Sequence, residues 1–257
     1  MTNFYMYGEN AATFLIFQAL AEAVDGIQDV FLPNLKKFGT GRTKSWPPAT
    51  DIEVWLFPNF GKGRGFGEPD ALVLAGKDLF WIEVETTIDC QRNMAALRNT
   101  LVQLWRFRLL QTAINDGPKT VNGSLRIVGQ TLTNARVSRD ASVRLSGHGV
   151  LQRIRRRLEL AGKAKRDHYV LITVNKPKGK GRSKELYAKT LYRQAEELSE
   201  GYPRDVPRLP LDRCWYAYWN GDLEPNFAKQ TGKPLKLGER YVRIKKQYRS
   251  RQTRRTK

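Results

Sequence analysis

The stretch EPDALVLAGKDLFWIEVE, residues 68–85, contains two short apolar runs joined by Gly76-Lys77. Short and almost uninterrupted apolar runs are typical of strands that are covered on both faces of a sheet. Glycine at the first central position of a two-residue turn favours a type II′ hairpin. The sequence therefore predicts a β-hairpin in which Ala75 pairs with Asp78 and the pairing continues outward from there, residue by residue.

This register aligns four carboxylates at the end of the hairpin away from the turn. Asp70 falls opposite Glu83, and Glu68 falls opposite Glu85. Side chains alternate along a strand, so all four acids are expected on one face, where opposed like charges call for a cation. Oxygen ligands without a nearby His or Cys favour Mg²⁺ or Mn²⁺. The competing interpretation is that these acids lie on a solvated strand end and only add charge.

The rest of the chain alternates between helical and extended patterns. Apolar residues spaced by three and four predict helices over residues 9–24, 92–114, 150–160 and 183–199. Apolar or alternating segments predict strands over residues 51–57, 124–128, 169–174 and 214–219. The sequence therefore predicts an α/β protein.

The charge of the chain is large and unevenly distributed. The 257 residues include 45 Lys and Arg against 25 Asp and Glu, a net charge of +20. Residues 1–100 carry 9 basic and 12 acidic side chains, whereas residues 101–257 carry 36 and 13. A basic excess of this size indicates a polyanionic partner, and nucleic acid is the first candidate.

The composition also excludes several classes of protein. Six Trp, ten Tyr and eleven Phe are too many for a chain that is disordered throughout. No apolar stretch approaches the roughly 18 residues of a membrane span, and no export signal is recognisable. Two Cys and two His make a disulfide framework or a zinc site improbable. We therefore expect a cytoplasmic protein that does not associate with membranes.

The acidic hairpin and the helix after it resemble the PD-(D/E)XK nuclease superfamily. Pro69-Asp70 matches the PD element, and Glu83-Val84-Glu85 falls at the (D/E)XK position. Residues 82–86, IEVET, are similar to the hydrophobic-acid-x-Lys-Thr form of the RecB-like branch. Residues 103–107, QLWRF, are similar to its Gln-hydrophobic-x-x-Tyr motif, with Phe in place of Tyr. The resemblance covers residues 9–130, about half of the chain.

The resemblance implies a restriction-endonuclease-like core made of a helix, three antiparallel strands, a helix and a further strand. This core would occupy residues 1–130. Residues 131–239 would form a basic α+β extension that completes the sheet and binds nucleic acid. Residues 240–257, with nine Lys or Arg and no acid, would form a disordered basic tail.

The resemblance also implies roles for the acids. Asp70 and Glu83 would hold Mg²⁺ or Mn²⁺ together with the backbone carbonyl of Val84. Glu85 stands where the family has lysine. It would orient or deprotonate the attacking water or contribute to a second metal, as some restriction endonucleases with Glu at this position still cleave. The alternative is that the nuclease has lost its activity and has become a binding module.

Two further residues are candidates for the catalytic site. Glu9, at the start of the first predicted helix, corresponds to the acid that many family members supply from that helix. Its carboxylate would also favour the helix dipole, which is an equally good explanation. Gln103 would lie on the second helix facing the site, although a solvated glutamine fits the sequence nearly as well.

Basic residues in three places are candidates for binding nucleic acid. Lys62 and Arg64 lie in a glycine-rich loop, where Lys62 could also supply the missing lysine, and the others follow in the helices. The full set of candidates is Lys62, Arg64, Arg106, Arg153, Arg156 and Arg157.

These features together predict a metal-dependent DNA endonuclease that hydrolyses phosphodiester bonds with metal-activated water. The alternative is a catalytically inactive nuclease-fold protein that binds DNA or RNA as an assembly subunit. The sequence does not distinguish DNA from RNA as the substrate. A homodimer and a larger nucleoprotein assembly are both compatible with the sequence.

Overall fold

A computed structural model describes residues 9–57, 69–85, 94–116, 166–175, 184–201 and 207–237. The helices are α1 (Glu9–Glu22), α2 (Met94–Asp116), α3 (Lys184–Glu200) and α4 (Glu224–Thr231). The strands are β1 (Lys36–Lys37), β2 (Ile52–Leu56), β3 (Ala71–Ala75), β4 (Asp78–Glu85), β5 (Arg166–Thr173) and β6 (Cys214–Tyr218). The protein is thus of the predicted α/β class.

All six strands form one mixed sheet in the order β1-β6-β5-β4-β3-β2. Strands β2, β3 and β4 are antiparallel to one another, whereas β4, β5 and β6 run parallel. The short strand β1 pairs antiparallel with β6 at one edge. The carboxyl ends of the three parallel strands therefore lie along the same border of the sheet.

The predicted hairpin register is confirmed. Ala75 pairs with Asp78, and the ladder continues to Ala71 and Ile82. Gly76 has a φ of 60°, which glycine adopts without steric cost. Every residue of β3 is buried, as expected for an apolar strand covered on both faces.

Helices cover both faces of the sheet. Alternate residues of β3 and β4, such as Leu72 and Trp81, pack in a core with Leu101 of α2 and Leu191 of α3. The intervening strand residues, such as Phe80, pack in a second core with residues of α1 and α4. Burial of these two apolar surfaces is the main stabilising contribution to the three-layer arrangement.

Several elements differ from the sequence-based prediction. Helix α1 ends at Glu22, and a π-helical turn follows at Gly26–Phe31. A Cβ atom at Gly26 would lie 2.1 Å from the Leu20 carbonyl oxygen, so this close approach needs glycine. Helix α4 and the two-residue β1 were not predicted, because α4 buries little apolar surface apart from Phe227 and β1 is too short to show a period.

The later predicted strands and helices are found near their expected positions. Strand β5 and helix α3 agree with the predictions over residues 169–174 and 183–199, and β6 agrees with the prediction over 214–219. The predicted strand at 124–128, the helix at 150–160 and the tail at 240–257 lie outside the described residues. Among the described helices, none combines the length and the apolar character that a membrane span requires.

Candidate functional site

The carboxyl end of β4 brings acidic side chains together. The Asp70 N–H donates to the Ile82 carbonyl at 3.0 Å, which extends the hairpin ladder one residue beyond β3. In return, the Val84 N–H donates to Oδ2 of Asp70 at 2.7 Å. The Asp70 carboxylate is therefore held against the last residues of β4, beside Glu83 and Glu85.

Helix α1 adds a fourth carboxylate to this group. Glu9 is the first residue of α1, and its charge raises the pKa values of Asp70, Glu83 and Glu85. Protonated Glu85 can also donate a hydrogen bond to the Glu9 carboxylate, which raises the pKa of Glu85 further. The structure thus brings together four of the residues singled out from the sequence, and we call Glu9, Asp70, Glu83 and Glu85 the acidic cluster.

The acidic cluster has strongly perturbed protonation. Burial and the charge of Glu9 raise the pKa of Asp70 to about 6, against the opposing effect of the Val84 hydrogen bond. Burial, with the charges of Asp70, Glu85 and Glu9, raises the pKa of Glu83 well above its usual value. Burial and Glu9 likewise raise the pKa of Glu85 to about 7, although the hydrogen bond from Thr100 lowers it. Desolvation and mutual repulsion thus disfavour the fully ionised cluster.

One face of α2 turns toward the cluster. Thr100, Gln103 and Arg106 follow each other at intervals of three residues, which places them on the same side of a helix. Thr100 Oγ1 donates to Oε1 of Glu85 at 2.7 Å. The positive charge of Arg106 lowers the pKa of Glu83. Helix α2 therefore supplies a hydroxyl and a guanidinium to the acids of β4.

Gln103 contacts Arg106, one turn further along α2. Its Oε1 accepts a hydrogen bond of 3.1 Å from the Arg106 guanidinium. This contact holds Arg106 while the arginine faces Glu83. Thr100 was missed in the sequence, although its position three residues before Gln103 was a usable signal.

A second polar group lies at the opposite end of β4. Asp78 accepts hydrogen bonds from Arg166 and is hydrogen-bonded to Nε2 of His168, both at 2.8 Å. The Trp215 indole N–H donates to Nδ1 of His168 at 3.2 Å, so the imidazole proton resides on Nε2. Burial raises the pKa of Asp78, but His168 and Arg166 outweigh that effect and hold it below its usual value. We call Asp78, Arg166, His168 and Trp215 the paired network.

The paired network was not predicted, and its role is structural. His168 stacks on Phe80 and contacts the edges of Trp46 and Trp215. Both of its ring nitrogens already have partners, so neither is available to a substrate. The sequence offered no signal for it, because Asp78 and His168 are 90 residues apart.

Several candidate residues lie outside the part of the chain that the structure describes. They are Lys62, Arg64, Glu68, Arg153, Arg156 and Arg157.

The acidic cluster offers oxygen donors, which are the ligands that hard cations prefer. Asp70 and Glu83 offer carboxylate oxygens only. The Val84 carbonyl points to the same edge of β4 as the Ile82 carbonyl, toward Asp70, because backbone groups alternate along a strand. Within the described residues, no three Asp, Glu, His or Cys side chains form a metal-holding group. Mg²⁺ usually keeps several water ligands, so two side chains and one carbonyl are enough protein ligands for it.

No family model, curated protein or solved structure matches the chain. Its function is therefore inferred from the site.

Proposed function

We propose that the protein is a metal-dependent DNA endonuclease. The observation that carries this proposal is the acidic cluster, in which the exposed Glu9 and three half-buried carboxylates are held together although their charges repel. Such an arrangement lowers stability unless a cation or protons neutralise it. Perturbed pKa values of this kind concentrate at functional sites. A divalent cation bridging to a phosphodiester is the ligand that best fits these oxygen donors.

The residues of the acidic cluster would have different roles in the proposed reaction. Asp70, Glu83 and the Val84 carbonyl would hold the cation. When bound, the cation would activate water and offset the charge that develops on the attacked phosphate. Glu85 would orient the attacking water and accept its proton. Its raised pKa, about 7, suits a general base at neutral pH.

Arg106 would contact the phosphate beside the acids. Its guanidinium is fixed by Gln103 on the preceding turn of α2. A guanidinium can donate two parallel hydrogen bonds to phosphate oxygens, which positions the backbone of a nucleic acid without reading its sequence. Gln103 would then act on the substrate through Arg106.

The order of the described elements supports a restriction-endonuclease-like core. Helix α1 precedes the antiparallel strands β2, β3 and β4, with the short strand β1 in between, and helix α2 and the parallel strand β5 come later in the chain, as in that core. Asp70 directly precedes β3, and Glu83 and Glu85 lie on β4. Because one fold hosts many functions, this agreement supports the proposal only together with the site.

The distribution of charge supports a nucleic acid as the substrate. The described residues include 17 Lys and Arg against 19 Asp and Glu, whereas the remaining residues include 28 against 6. The whole basic excess is thus carried by segments outside the described sheet and helices. Basic segments of the same chain would hold the phosphates of a duplex near a cluster that otherwise repels them.

The second candidate function is a binding protein without activity, and Glu85 is the observation that favours it. Where related nucleases use a lysine, this chain adds another negative charge to the site. A protein of this kind would bind DNA or RNA through its basic segments and act as an assembly subunit. It would not need the acids to be ionised.

A nicking assay separates the two candidates. We expect supercoiled plasmid to be converted to open-circular and linear forms with Mg²⁺ or Mn²⁺, and to remain intact with EDTA. Asp70→Ala should reduce the rate about 1,000-fold, since a bound cation contributes several kcal/mol to transition-state stabilisation. The matched control is Asp212→Ala, which removes an exposed carboxylate beside Arg213 and should cleave like the wild type.

The assay also has outcomes that contradict the proposal. Binding of plasmid without cleavage, equal in the wild type and Asp70→Ala, would favour the inactive binding protein. Cleavage that survives Asp70→Ala would place the chemistry elsewhere. A parallel incubation with single-stranded RNA tests the substrate class, and faster cleavage of RNA than of DNA would make the protein a ribonuclease.

A further inference from the structure

Thr100 makes a hydrogen bond of a different kind from those of three other helical hydroxyls in the described residues. The side chains of Thr13, Ser199 and Thr231 each donate to the backbone carbonyl four residues earlier in their own helix. This is the usual local bond of Ser and Thr within helices. The Thr100 hydroxyl donates to a side chain on another element, the Glu85 carboxylate of β4, at 2.7 Å.

The environment of Thr100 makes this contact consequential. Thr100 is 2% exposed, so water does not compete well for its hydroxyl. Its neighbours one turn either side on α2, Leu97 and Leu104, are fully buried in the core between the sheet and the helices. The hydroxyl is therefore anchored on a rigid helix rather than on a loop.

We propose that Thr100 is a positioning residue for Glu85. Its hydroxyl donates to Oε1 of Glu85 and so fixes the orientation of the carboxylate. Thr100 on α2 and, once Glu85 is protonated, Glu9 on α1 hold Glu85 from two helices. The inference rests on the proposed function, because it assigns the Thr100 hydroxyl the task of orienting the general base of that reaction.

The first test needs no metal and no substrate. In EDTA, Thr100→Val keeps the shape of the side chain and removes the hydroxyl. We expect it to lower Tm by about 4–8 °C in the wild-type background, as the loss of a hydrogen bond to a charged group would. In a Glu85→Ala background the same substitution should change Tm by less than about 2 °C. Equal shifts in the two backgrounds would overturn the proposal, since the hydroxyl would then act within its own helix.

The second test measures plasmid cleavage with Mg²⁺. Thr100→Val should lower kcat about 10- to 100-fold, the usual cost of losing a residue that orients a functional group. KM for plasmid and the Mg²⁺ concentration at half-maximal rate should stay within about twofold, because Thr100 touches neither. Thr100→Ser keeps the hydroxyl and should restore most of kcat.

The matched control is Ser199→Ala, which removes a buried hydroxyl bonded within α3. It should cleave at the wild-type rate. A Thr100→Ser variant no better than Thr100→Val, or an unchanged kcat in Thr100→Val, would overturn the positioning role while leaving the nuclease proposal intact. A wild-type protein that does not cleave would overturn the proposed function, and with it the catalytic task of Thr100, even if the Tm shifts show the contact.

Discussion

The two ends of β4 contain acids in opposite electrostatic states, with Asp78 buried at one end and Glu83 and Glu85 half-buried at the other. Asp78 begins the strand and is paired with Arg166 and His168, which keep its pKa low. Glu83 and Glu85 end the strand, where neighbouring carboxylates and burial keep their pKa values high. A pair of opposite charges is neutralised within the protein, whereas a group of like charges needs protons or a bound cation to neutralise it. The comparison therefore separates a structural network from a candidate site.

The largest change in folding stability is expected from Asp78→Ala. It removes the shared partner of a buried imidazole and a guanidinium, and should lower the free energy of unfolding by about 3 kcal/mol. Urea denaturation in EDTA at pH 7 measures this value. Asp212→Ala, at an exposed acid, is the control and should change it by less than about 0.5 kcal/mol. If the two variants unfold alike, the paired network does not stabilise the fold.

A smaller effect of opposite sign is expected from Asp70→Asn. The amide oxygen can still accept the Val84 N–H, while one negative charge leaves the acidic cluster. At pH 8 in EDTA the free energy of unfolding should rise by about 1–2 kcal/mol. Added Mg²⁺ should stabilise the wild type but not this variant. A destabilised Asp70→Asn would show that the like charges are compensated within the protein.

The smallest expected change is in how folding stability depends on pH. The folded-state pKa values of Asp70 and Glu85, about 6 and 7, exceed their usual values of 3.8 and 4.5. The folded protein therefore binds more protons than the unfolded chain between these limits, and metal-free stability should fall as pH rises from about 4 to 7. Asp78 acts with the opposite sign, because its lowered pKa gives stability that is lost only as pH falls below about 4.

Comparison with Asp70→Asn isolates this effect from other titrating groups. Over the same pH range the variant should lose about 1 kcal/mol less stability than the wild type. Tm measured in EDTA at half-unit pH steps provides the comparison. Parallel curves for the two proteins would mean that Asp70 titrates normally in the folded state.

The acidic cluster was largely predictable because its determinants are local. The hairpin turn at Gly76 sets the register, and the register brings Asp70 beside Glu83 and Glu85. Glu9 was identified only through the family resemblance. Its hydrogen bond with protonated Glu85 depends on how α1 packs against the sheet, which no local pattern encodes. Thr100 was also missed, because its partner is on another element, although its spacing from Gln103 on α2 was a usable signal.

The sequence by itself determined the hairpin, the α/β class and the separation of basic from acidic segments. These features follow from turn geometry, apolar periodicity and charge count, which act over a few residues or along the whole chain. Only the tertiary structure decided which acids acquire a partner. Asp78 meets His168 and Arg166 because β5 pairs in parallel beside β4, whereas the acids at the other end meet Glu9 and one another. Pairing between distant segments is set by packing of the whole sheet, and it makes one end of β4 structural and the other a candidate site.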